Sequence, residues 1–153
     1  MRVLPGMREA ADAAGEIRYQ VPDSWEEFPA EGIRKANFRA SGPGDATAEI
    51  TVLVFPGDVG GPLANINRWR RQVGLPPAEA ESADAVSEPV SVSQHPARLV
   101  RIEGGDAGIL GALLPFHGFT WFFKMQGDAP AVAANEAAFR EFLASVSLQN
   151  DAH

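Results

Sequence analysis

The chain has 153 residues, of which 45% are apolar and 22% charged, with a formal net charge of −7. That size and balance suit one globular domain with a core of its own, and they exclude a disordered chain. The negative field argues against nucleic acid and anionic membrane as partners, and the absence of cysteine excludes disulfides, thiol nucleophiles and thiolate metal sites.

Residues 1–15 read as an alanine-rich lead-in, residues 16–149 as a single α+β domain, and residues 150–153 as a tail. The lead-in has no apolar run long enough for a signal peptide, and no later stretch is long enough to span a membrane. The expected location is periplasmic or cell-envelope if a leader was removed, and soluble cytoplasmic otherwise. The domain opens on EIRYQVP, a short strand ending at Pro22, then a turn and Trp25. GIRKANFRA alternates between a polar and a more apolar side. SGPGD follows as a hairpin turn, and TAEITVLVF has apolar residues on both faces, which predicts a central strand covered on two sides.

PGDVGG then turns the chain into a helix over Leu63–Val73, with Pro62 near its first position, Gly74 as its stop and Pro76-Pro77 barring continuation. AEAESADA predicts one or two further helical turns. Two short strands follow, confined by Pro89 and Pro96 to sheet edges or strand starts. GILGALLPF is an apolar strand whose Gly108 and Gly111 predict close packing or a bulge. His117-Gly118 turns into FTWFFKM, where Phe119, Trp121, Phe123 and Met125 share the face that must be core. Asp128 is placed to cap a last helix over Ala129–Val146, whose stripe is Val132, Phe139, Phe142, Leu143 and Val146. Hairpin spacings between the strands predict an antiparallel sheet flanked by helices.

The motifs VPDSWEEFP, FPGDVGG, LANINRWRRQVGLPP, TWFFKMQGD and AAFREFLASV together resemble an uncharacterised family of small domains in planctomycetes and related bacteria, often found behind a lipoprotein-type leader. The element order is also similar, at the level of fold, to the PsbP-like α/β/α sandwich. What the resemblance implies is a fold and a cell-envelope location; it carries no activity and no photosynthetic role to this chain.

The glycine turn invites comparison with phosphate-binding loops at helix N-termini. It lacks the lysine of G-x-x-x-x-G-K-S/T and the spacing of G-x-G-x-x-G, and Asp58 brings the wrong charge, so a tight strand-to-helix corner is the simpler reading. In the helix, at about 100° per residue, Ile66, Trp69 and Val73 share an apolar arc into which Arg70 falls, whereas Arg68 and Arg71 point outward. A partly buried guanidinium requires a partner. Two readings stand: a clamp from Arg70 to Asp58 or Glu49, or an Arg70–Asn67 pair gripping a ligand carboxylate.

His95 and His117 lie in turns that can share one sheet end, with Asp106 as a possible third group; the spacing supports no metal site. There is no G-x-S-x-G elbow and no Ser–His–acid order. The first function expected is therefore a non-catalytic binding or accessory domain acting with a larger protein partner, without cofactor, nucleic acid or membrane span. Its working surface would be Asp58, Asn67 and Arg70, with Trp25 as a second contact. The alternative is an anionic-ligand binder or weak hydrolase built on the same Arg70 corner with a histidine turn.

Overall fold

A computed structural model describes residues 15–79 and 82–149. All of the expected 1–15 lead-in except Gly15, and the tail at 150–153 with His153, lie outside the described residues. The strands are β1 (Glu16–Arg18), β2 (Glu26–Glu27), β3 (Arg34–Ser41), β4 (Thr47–Pro56), β5 (Glu88–Val92), β6 (His95–Gly104), β7 (Ala107–Phe116), β8 (Phe119–Asp128) and β9 (Ser147–Gln149). The helices are α1 (Pro62–Gln72), α2 (Ala129–Ala134) and α3 (Glu136–Ser145), and a 3-10 turn spans Ala83–Val86 where helical turns were expected.

Seven strands form one antiparallel sheet in the order β2-β3-β4-β8-β7-β6-β5. β4 and β8 are paired along their length, from Ala48–Gly127 to Pro56–Phe119, so the two strands read as central are neighbours at the middle of the sheet. The chain leaves β4 through the glycine turn and α1, reaches the far edge at β5, and meanders back to β8. β1 and β9, at opposite ends of the domain's sequence, pair as a separate two-stranded ribbon.

The sheet is covered on both faces. On one, Phe38, Ile50, Val52, Leu99, Leu114, Trp121, Phe123 and Met125 pack beneath Phe139, Phe142 and Leu143 of α3. On the other, Val100, Ile102, Ile109, Leu113 and Phe122 pack beneath Ile66 and Trp69 of α1. This is the expected α+β architecture, an α/β/α sandwich. The face assigned to Trp121, Phe123 and Met125 is core, and all three are fully buried. Trp121 Nε1 is buried, and among the described residues it has no hydrogen-bond partner, which costs desolvation of a donor.

Glycine is required where α1 meets the sheet. A Cβ on Gly111 would lie 2.4 Å from Trp69 Cζ3, so the indole seats directly on the β7 backbone. α1 ends in a Schellman motif, with Gly74 N–H donating to Arg71 O at 3.1 Å and Leu75 N–H donating to Arg70 O at 2.9 Å.

Three expectations change. The last helix is two: α2 and α3 break at Asn135, which has left the helical region (φ −105°, ψ 9°). Its buried side chain explains the break, because Nδ2 donates to Ser41 O and Ala131 O, each at 2.9 Å, and Oδ1 accepts from Trp25 Nε1 at 3.2 Å. Asp128 stands at the N-cap of α2, but its carboxylate accepts from Thr47 N–H on β4 at 2.9 Å rather than from the helix. Trp25 is no surface contact. It is 6% exposed, packs against both Phe38 and Phe142 at centroid distances of 5.6 and 5.3 Å, and is held by Asn135.

Candidate functional site at the glycine-turn end of the sheet

The turn after β4 is strongly bent. Gly57, Gly60 and Gly61 have φ of 75°, 89° and 93°, which a side chain would resist, and Val59 adopts φ 51° despite its branched Cβ. The turn spends its own polar groups to hold this shape. Gly57 N–H donates to Gly118 O at 2.9 Å, Gly61 N–H to Asp58 O at 2.9 Å, and Gly60 N–H to the Asp58 carboxylate at 3.2 Å. The carbonyls are used as well: Thr120 Oγ1 donates to Gly57 O at 2.6 Å, and Asn65 Nδ2 donates to Gly61 O at 2.7 Å and Val59 O at 3.2 Å. An incoming phosphate would find these amides committed, so the turn is a corner locked from within.

Arg70 and Asn67 share a task of another kind. Arg70 Nε donates to Pro76 O at 2.8 Å, and Asn67 Oδ1 accepts from Ala78 N–H at 2.8 Å. Both side chains strap the segment leaving α1 back onto the helix. The expected carboxylate partners are engaged elsewhere: Asp58 with Gly60, and Glu49 with Arg39 at 3.8 Å. The clamp exists, but it closes on a backbone carbonyl. The buried stripe of α1 is Asn65, Ile66 and Trp69, and Arg70 sits on its half-buried shoulder.

The concavity at this end of the sheet opens on the other side of the turn, away from Arg70 and Asn67. It holds ≈ 610 Å³ and reaches from Asp58, Pro62 and Asn65 across Leu113 and Pro115 to Pro89 and Pro96 on the sheet edge. Its origin lies in the strand register. The β6–β7 ladder runs from Gly104–Ala107 to Arg98–Leu113 and stops there. Continuing that register sets Pro96 opposite Pro115, and neither has an N–H to donate. The ends of the two hairpins, each paired within itself, are therefore not paired with one another, and a strip of apolar sheet is exposed.

The polar groups on the walls are mostly occupied. Arg98 donates from Nε to Ser87 Oγ and from Nη2 to Ser87 O, both at 2.9 Å, and Thr120 and Asn65 serve the turn. His117 is exposed at the lip. Its ring lies 6.1 Å from that of His95, with Phe116 between them at 4.3 and 4.7 Å, so the two histidine turns do meet. Asp106 does not join them, since the β6–β7 hairpin turns at the opposite end of the sheet. Among the described residues, no three His, Cys, Asp or Glu side chains stand together as metal ligands. The residues that sequence reasoning passed over are Asn65 and Thr120. The signal for Asn65 was its place four residues before Trp69, on the same stripe of the helix.

This combination of a meandering antiparallel sheet, a helix-bearing crossover and helices on both faces defines a PsbP-like α+β domain. No family profile matches the chain, and no curated protein does. Among solved structures, it is similar to cyanobacterial PsbP (CyanoP) from Synechocystis sp. PCC 6803, with TM-score 0.51 and 10% identity over 88% of this chain and 94% of that one. It is also similar to LpqN, a protein involved in cell envelope biogenesis of Mycobacterium tuberculosis, with TM-score 0.51 and 14% identity over 87% of this chain and 83% of LpqN. A Bacteroides thetaiotaomicron protein has TM-score 0.51 and 10% identity over 92% of this chain, which spans half of that protein's length. At such identities the likeness is one of fold. No helix among the described residues is long and apolar enough to cross a membrane.

Proposed function

We propose that this domain is a non-catalytic binding module that acts with a larger protein partner in the cell envelope, and that the proline-walled groove is its working surface. The supporting observation is the groove itself: an apolar strip of ≈ 610 Å³ whose wall groups Asn65, Thr120 and Arg98 are consumed by internal hydrogen bonds. Such a surface suits burial of an apolar segment from a partner better than positioning of a reacting group. The fold shared with LpqN, a protein involved in cell envelope biogenesis, supports the envelope location. The alternative, an anionic-ligand binder or weak hydrolase at the Arg70 corner, has less support, because Arg70 and Asn67 hold Pro76 and Ala78 and do not line the groove.

The test uses exposed groove positions, so that folding is spared. Pro96→Glu and Pro115→Glu should each abolish recovery of a specific partner from the host envelope while leaving the melting temperature unchanged. A partner recovered equally by the parent and both variants would sink the assignment of the groove. Turnover of ester or amide substrates by the purified domain, lost on His117→Ala, would favour a hydrolase instead.

A further inference from the structure

The face beneath α1 is covered over only part of its width. Trp69 lies on Gly111 and Phe122, whereas over β3 and β4 the same face is open. A second concavity of ≈ 540 Å³ occupies this open part, lined by Arg34, Thr51, Lys124 and Gln126, with Glu49 and Asp128 also on its wall. The register puts Lys124 of β8 opposite Thr51 of β4, and Arg34 of β3 opposite Leu53, one pleat along.

Lys124 is held in place there. Its Nζ donates to Gln72 Oε1 at 2.5 Å and lies 5.4 Å from the centroid of the Trp69 ring. Burial, and then the charge of Arg68 on α1, push its amine down to about 8. Among the described residues no carboxylate pairs with Lys124, Arg34 or Arg68. The acids on the wall are engaged, Glu49 with Arg39 at 3.8 Å and Asp128 with Thr47 N–H at 2.9 Å. Lys124 and Arg34 thus face one hollow with no carboxylate at ion-pair distance among the described residues, and Arg68 adds a like charge beside Lys124. Like charges so placed repel, and an anion between them would relieve the repulsion while accepting charge-assisted hydrogen bonds.

We propose that this concavity is a binding site for a small oxyanion, a phosphate or carboxylate group held between Lys124 and Arg34 over the Thr51 hydroxyl. The site is separate from the groove and stands or falls independently of it.

The test is side-chain NMR of Lys124, titrated against pH in sodium chloride, inorganic phosphate and glutarate at matched ionic strength. Binding favours the charged amine, so the Lys124 pKa should rise with phosphate or glutarate above its value in chloride, with amide shifts at Thr51 and Arg34. The probe that binds more tightly identifies the ligand class. Lys124→Met, which keeps the aliphatic stem on Trp69, and Arg34→Gln should each weaken binding about tenfold, whereas Lys124→Arg should retain it. A Lys124 pKa that is the same in all three salts would overturn the proposal, as would either neutral variant binding as tightly as the parent.

Discussion

The side-chain amide of Asn65 donates to the carbonyl of Gly61 at 2.7 Å, one helical turn back along the chain. A second bond to Val59 O at 3.2 Å fixes the residue whose φ of 51° the turn depends on. Asn65 is 1% exposed, and its loss would leave the half-buried Val59 carbonyl without this donor and that of Gly61 with only the Asn65 backbone N–H at 3.3 Å. Asn65→Ala should lower stability by about 1–3 kcal/mol in urea denaturation, and Asn65→Asp should be no better, because a carboxylate has nothing to donate. A loss below about 0.5 kcal/mol would show that the turn holds its shape without this side chain.

Gly111 supplies the seat for Trp69. Adding one methyl group forces the indole to move from a contact that would close to 2.4 Å, and the ring is hemmed in by Phe122 at a centroid distance of 6.1 Å. Gly111→Ala should therefore cost about 1–3 kcal/mol as overpacking, with a change in tryptophan fluorescence. An unchanged melting temperature would mean that α1 can lift from the sheet at no cost.

Arg70 separates the two accounts of its corner. Had it clamped a buried carboxylate, Arg70→Ala would cost about 3–5 kcal/mol. With Pro76 O as its partner, the expected loss in a denaturant melt is about 0.5–1.5 kcal/mol, that of one ordinary hydrogen bond. A loss of the larger size would reveal a buried ionic partner and restore the carboxylate clamp.

Trp121 is fully buried at the centre of the sheet, and its indole N–H has no partner among the described residues. Trp121→Ala should cost about 3–5 kcal/mol by leaving a cavity. Trp121→Phe loses volume but also removes the unsatisfied donor, so it should cost under about 1.5 kcal/mol by thermal denaturation. A phenylalanine variant as unstable as the alanine variant would imply a hidden partner for the indole N–H.

Much of the architecture could be read from periodicity, because both central strands carry apolar residues on two faces and the helix after the glycine turn has one apolar arc. The Phe139–Phe142–Leu143 stripe was legible for the same reason, while the break at Asn135 was not: its bonds reach Ser41 and Trp25, far away in the chain. Trp25 misled for a related reason. In sequence it follows an exposed turn, and only Phe38, Phe142 and Asn135 bury it. Arg70 was rightly placed at the edge of the core, but its partner is the backbone carbonyl of Pro76 rather than a carboxylate. The groove sits where the β6–β7 ladder stops at Arg98–Leu113, short of Pro96 and Pro115, a consequence of strand register that neither proline announces alone. The β1–β9 ribbon likewise joins segments with no local signal for each other.

The most direct test of the central claim is site-specific photo-crosslinking in the native host. A photoreactive residue replaces Pro115 in the groove or, as a control, Ala137 on the exposed side of α3. The account predicts a single prominent adduct with an envelope protein from position 115, absent from position 137 and abolished by Pro96→Glu. Equal labelling from both positions, or an adduct that survives Pro96→Glu, would contradict it.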